Sequence, residues 1–147
     1  MDIFQDFSFF RVFEQTDFNF TFSGENKKNI LVIFCTENLN EDISYIEKIL
    51  SVAKINLQTD CSFTTCNRDD TFLPPLSLWF EKTNCNKMIV FGLSAEKFSC
   101  NFQNYLNRCL SFTNYKIVFS DSLERIKIAN SESKKQLREA LLNLVGL

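Results

Sequence analysis

Three short apolar runs punctuate the chain: Ile30-Leu31-Val32-Ile33-Phe34, Lys87-Met88-Ile89-Val90-Phe91-Gly92 and Tyr115-Lys116-Ile117-Val118-Phe119. Near-continuous apolar runs bounded by polar stretches predict strands covered on both faces, as in parallel or mixed sheets. Between them the period lengthens. Asn40-Glu41-Asp42 reads as a helix start with an acidic first turn, and Ile43, Ile46, Ile49, Leu50 and Ala53 follow at helical spacing. A helix is expected over about residues 41–53. Pro74-Pro75 opens a short helix over Leu76 to Lys82, and Asp121-Ser122-Leu123-Glu124 has the side chains of another helix N-terminus. The last helix is the clearest. Ser131 or Ser133 caps it, Leu137, Ala140, Leu141, Leu144 and Val145 form one stripe, and Gly146 ends it.

Other stretches are less patterned. Ile55 to Thr65 is β-prone but polar, and residues 95–109 read as a broken helix through Phe98, Phe102, Tyr105 and Leu106. Phe9, Arg11 and Phe13, then Phe18, Phe20 and Phe22, alternate with other residues, which predicts a hairpin or an edge strand. Ser23 to Asn29 is a polar loop. Strand followed by helix, repeated, predicts an α/β fold: a three-layer sandwich whose mostly parallel central sheet is flanked by helices. A chain of 147 residues is about one domain long, with a Phe-rich N-terminal segment (1–25) ahead of the core (26–147).

Composition narrows the chemistry. There is no histidine, which removes Ser-His-Asp and Cys-His catalysis and histidine metal sites. With glycine only at 24, 92 and 146, neither GxGxxG nor GxxxxGK[ST] can be written. No cofactor or metal is expected. The six cysteines, at 35, 61, 66, 85, 100 and 109, include no CxxC pair. They are expected to be free thiols in a reducing cytoplasm. No basic stretch precedes an apolar one at the N-terminus, and no run approaches the roughly 18 apolar residues of a membrane span, so neither secretion nor a membrane is expected.

The charge is uneven. Residues 1–25 hold five acids against one base, a net of −4, and residues 116–147 hold six bases against four acids, a net of +2. The total of −2 gives no global drive toward nucleic acid, and affinity for it stays open. Eight of the 17 phenylalanines lie in the first 22 residues. Most are expected in the core. Phe4, Phe7 and Phe10 are the candidates for exposed anchors on a protein partner.

Ligands of open α/β sheets bind beyond the carboxyl ends of the strands. That edge should carry Cys35, Glu37 and Asn38 after the first strand, Gly92 after the second, and Ser120, Asp121 and Ser122 after the third. Glu37 and Asp121 could face one crevice, with Glu37 as a general base. The plainer reading has Asp121 or Ser120 capping the next helix and Glu37 solvated. Cys35 has no base beside it in sequence and reads as an inert thiol.

Taken together, ILVIF, KMIVFG, YKIVFSDSLERI and NSESKKQLREALLNL resemble the uracil-DNA glycosylase superfamily over about residues 28–145. Within it they are most similar to the small, catalytically silent branch around the psi subunit of bacterial DNA polymerase III. Val118-Phe119-Ser120-Asp121-Ser122-Leu123 stands where active members carry a His-Pro-Ser-Pro-Leu-like stretch. Lys134 to Leu141 resembles the family's closing Lys-x-x-Leu-Trp helix, with Arg138 at the tryptophan position. Active glycosylases also place a water-activating Asp or Asn in a Gly-rich loop after the first strand. Here that loop is Cys35-Thr36-Glu37-Asn38-Leu39-Asn40, without glycine. The resemblance therefore implies the fold without the reaction. It implies a clamp-loader or polymerase subunit as partner, met through the N-terminal segment. The expected role is a non-catalytic interaction subunit. The alternatives are a nucleic-acid-processing enzyme of the same superfamily and a flavodoxin-like ligand binder.

Overall fold

A computed structural model describes Phe18 and residues 20–36, 38–67, 69 and 72–146. The expected Phe9–Phe13 strand and the anchor candidates Phe4, Phe7 and Phe10 lie outside the described residues.

The three apolar runs form β1 (Ile30–Phe34), β3 (Lys87–Phe91) and β5 (Lys116–Ser120). They pair in parallel, and β2 (Cys61–Thr65) joins the other side of β1, also in parallel. A short β4 (Cys109–Ser111) pairs antiparallel with β5 and forms the far edge, so the sheet order is β2-β1-β3-β5-β4. The mixed α/β class and the mostly parallel sheet follow the sequence pattern.

Helices cover both faces. On one side lie α1 (Leu39–Ser51), α4 (Leu123–Ile128) and α5 (Ser131–Val145), packed through Ile46, Leu50, Ile126, Leu137 and Leu141 onto Ile30, Val32, Phe34, Ile89, Phe91 and Val118. On the other side lie α3 (Leu76–Thr83) and a 3-10 turn (Ala95–Phe98), packed onto Leu31, Ile33, Met88, Val90, Ile117 and Phe119. Successive strand residues point to opposite faces, so a strand with two covered faces must be apolar throughout. All five side chains of β1 are fully buried for this reason.

Trp79 organises the second core. Its ring is fully buried, and its indole N–H donates to the Pro74 carbonyl at 2.8 Å. Phe18, Phe20, Phe22 and Phe98 surround it with ring centroids 4.8, 4.5, 6.2 and 6.1 Å away. Phe18, Phe20 and Phe22 are partly buried and pack against this core, and they form no strand.

Several expectations need correction. Ile55 to Thr65 is a short helix, α2 (Leu57–Asp60), followed by β2. β2 is polar, yet all of it but Thr65 is buried, because the loop at residues 23–29 lies along its outer edge. Ser23 and Phe63 exchange both backbone hydrogen bonds, at 2.9 and 2.8 Å, and the Thr64 hydroxyl donates to the Thr21 carbonyl at 2.8 Å. The amides of Asn26 and Lys28 donate to the carbonyls of Cys61 and Asp60. Backbone bonding, not side-chain pattern, sets this edge. The first long helix starts at Leu39 rather than near residue 41, because Asn38 caps it by accepting from the Glu41 amide. Asn130, not Ser131 or Ser133, caps α5, accepting from the Ser133 amide at 2.9 Å. Residues 95–109 give the 3-10 turn and the start of β4 instead of a broken helix.

At Gly24 the backbone has φ +98, and a Cβ would run into the Cys61 carbonyl oxygen. Only glycine fits where the edge segment crosses onto β2. Gly24→Ala is expected to destabilise the fold by roughly 2–5 kcal/mol, the left-handed backbone cost plus overpacking. Urea denaturation followed by the fluorescence of Trp79, the single tryptophan, measures it. A change below about 0.5 kcal/mol, ordinary for a surface substitution, would contradict the edge contact.

Candidate functional site

The carboxyl ends of β3 and β5 open a cavity of about 330 Å³. After β3 the chain turns toward the Trp79 face, and after β5 toward α4, so the two loops diverge. Divergence of this kind leaves a crevice between neighbouring parallel strands. Gly92, Ser120, Asp121 and Ser122, all expected at this edge, line it together. Cys35 and Asn38 do not line it, and Glu37 lies outside the described residues.

Local chemistry fixes most of these groups. Gly92 has φ +77, and a Cβ there would come within 3.2 Å of the Ser122 Cα, so glycine allows the loops to approach. Its amide donates to the Ser120 carbonyl at 3.0 Å, which extends the β3–β5 ladder by one bond. The Ser120 side chain is buried, and its hydroxyl donates to Asn107 Oδ1 at 2.6 Å. The Ser122 hydroxyl accepts from the Arg125 amide at 3.4 Å and caps α4. This corrects the reading of Asp121 or Ser120 as the cap. The Asp121 carboxylate is half-buried at the cavity wall and forms no hydrogen bond or ion pair with a described residue. Arg125 lines the same cavity.

The loop after β1 is used locally. The Thr36 hydroxyl donates to the Asp42 carboxylate, tying the loop to the first turn of α1, and Asn38 is spent on its cap.

Tyr105, Leu106, Asn107 and Arg125 shape the crevice and were not among the expected residues. The Tyr105 hydroxyl accepts from the Ala95 amide at 3.2 Å, and the Asn107 amide donates to the Phe119 carbonyl at 2.8 Å. Asn107 has φ +55, and Asn104 just before it φ +49. Asparagine tolerates the left-handed region, so the Asn-rich stretch 101–107 was the available signal of a tight loop here.

None of the six cysteines, all among the described residues, forms a disulfide. Burial pushes the Cys61 thiol up to about 12, with the nearby Asp60 and Cys85 adding to the shift, and burial raises Cys85 too. These thiols stay protonated at neutral pH and are poor nucleophiles. Asp60 shifts the other way. Its carboxyl is held below the usual range by the Asn56 amide at 2.8 Å, with the Lys28 ammonium 3.4 Å away assisting. Its role is to pin α2 to the edge segment.

A buried hydroxyl bonded to an amide oxygen couples the two residues. A double-mutant cycle of Ser120→Ala and Asn107→Gly, in which glycine keeps the positive φ, is expected to give a coupling of about 1 kcal/mol in urea denaturation. Additive losses would show that the hydroxyl does not hold the crevice wall. No family model matches the chain, and no curated protein does.

Proposed function

We propose that the chain is a non-catalytic protein-interaction subunit of the cytoplasm, psi-like in character and associated with clamp-loader or polymerase subunits. The observation that carries the non-catalytic part is the Ser120–Asn107 bond at the crevice. Three side chains at this edge are held by bonds within the protein: Ser120 to Asn107, Ser122 to the helix cap and Tyr105 to a backbone amide. The sequence carries no histidine to serve as a base. The uracil-DNA glycosylase-like fold belongs to the same proposal, supported by the sequence resemblance and compatible with the parallel sheet.

A second reading draws on the Asp121 carboxylate. The crevice is open and partly polar, and this carboxylate faces it beside Arg125. A superfamily enzyme would use these groups, with Glu37, on a flipped base.

Affinity capture of the tagged full chain from its native cells, with uracil excision measured on the same preparation, separates the two. Clamp-loader or polymerase subunits are expected in the capture, with no excision above background. A capture free of all such subunits overturns the replisome assignment. Excision that disappears in Asp121→Asn or Glu37→Gln overturns the non-catalytic one.

A further inference from the structure

A second cavity, of about 410 Å³, lies between the helices that cover one side of the sheet, with Ile126 in its lining next to the crevice residue Arg125. Its lining is mostly aliphatic: Ile49 on α1, Val52 at the C-terminal cap of α1, Ile126 on α4, Leu137 and Leu141 on α5, with Tyr45 of α1 beside them. Its rim is cationic. Lys134, Lys135 and Arg138 line it, and no carboxylate does. In a chain with 18 acids against 16 bases, such a local excess is a specific feature.

The helical repeat builds it. Lys134, Leu137, Arg138 and Leu141 are spaced by three and four, which places them on one face of α5. Tyr45 and Ile49 on α1 and Val52 at its C-terminal cap have the same spacing. The two faces form opposite walls, and the seven-residue step from Tyr45 to Val52 at about 1.5 Å per residue gives a groove roughly 10 Å long. The three cations are exposed and form no ion pair among the described residues. Val52 is 43% exposed, a large aliphatic side chain open to solvent at the groove wall.

We propose that this groove binds an acidic amphipathic helix of a partner protein, with two apolar anchors about one turn apart on the aliphatic floor and carboxylates against Lys134, Lys135 and Arg138. The inference rests on the interaction-subunit reading and names its partner chemistry. Helix-in-groove recognition uses anchors at the i, i+3/i+4 and i+7 spacing that the two walls present. The groove holds one aromatic ring, Tyr45, beside five aliphatic side chains, whereas a single-strand nucleic-acid track would offer successive stacking rings along its cations. Rim cations steer an acidic partner and make its binding salt-dependent.

The test uses the full chain and a fluorescein-labelled synthetic peptide with Leu or Phe at i, i+3, i+4 and i+7 and Glu at most other positions. Binding is followed by anisotropy. Saturable binding is expected, weakened about tenfold or more by K134E/K135E/R138E, by Val52→Asp and by exchanging each Glu of the peptide for Gln, a loss equivalent to about 1.4 kcal/mol. All four positions are exposed, and circular dichroism checks that the variants remain folded. Equal binding of the Glu and Gln peptides, binding unaffected by the variants, or no binding overturns the proposal. So does displacement of the peptide by an oligothymidylate, or by a peptide of residues 1–17 of this chain, which would make a nucleic acid or the chain itself the occupant. Capture from native cells separates the two levels. A wild-type chain that retains the same partners as the triple variant refutes the groove and leaves the interaction role standing. A wild-type chain that captures nothing refutes the interaction role itself.

Discussion

Burial of β1 on both faces is the constraint on which the rest of the structure depends. Ile30, Val32 and Phe34 enter one core and Leu31 and Ile33 the other, and none of the five is exposed to solvent. A strand in this position needs neighbours on both sides and helices on both faces. β2 and β3 supply the first, and α1, α5 and α3 the second. The divergence of the loops that creates the strand-end crevice is a by-product of the same two-faced winding.

How much of this was legible depends on where the information lies. β1, β3 and β5 could be read because double coverage forces continuous apolar runs, and α5 because one covered face forces a stripe. β2 was legible only as part of a β-prone stretch, without its bounds. Cys61 to Thr64 are buried, and backbone bonds to residues 23–28 cover this edge without leaving a mark on side-chain pattern. β4 is three residues long and sits after an irregular stretch. Helix starts were misplaced by one to three residues because several polar residues in a row could each cap, and only geometry selects Asn38, Ser122 or Asn130.

The crevice was half legible for a related reason. Strand-end logic brought Gly92, Ser120, Asp121 and Ser122 to one place, since they follow the ends of two paired strands. It did not foresee Asn107 or Tyr105, which arrive from an irregular loop far from those ends in sequence. The chain has only three glycines for its tight turns. Five of the seven non-glycine residues at positive φ among the described residues are asparagines: Asn26, Asn29, Asn84, Asn104 and Asn107. Asparagine takes over the tight turns that other chains give to glycine.

The molecule carries two candidate surfaces. One is a crevice where the Ser120, Ser122 and Tyr105 hydroxyls are bonded to the protein; the other is a groove with an exposed cationic rim. If the protein works by association, the second should change on binding and the first should not. Amide hydrogen exchange of the free chain against the same chain in its affinity-captured complex tests this most directly. The expected result is new protection in α1 and α5, around residues 45–52 and 134–141, with residues 92–94 and 120–122 unchanged. Protection confined to residues 92–94 and 120–122 would contradict the interaction role and return the function to the strand-end crevice.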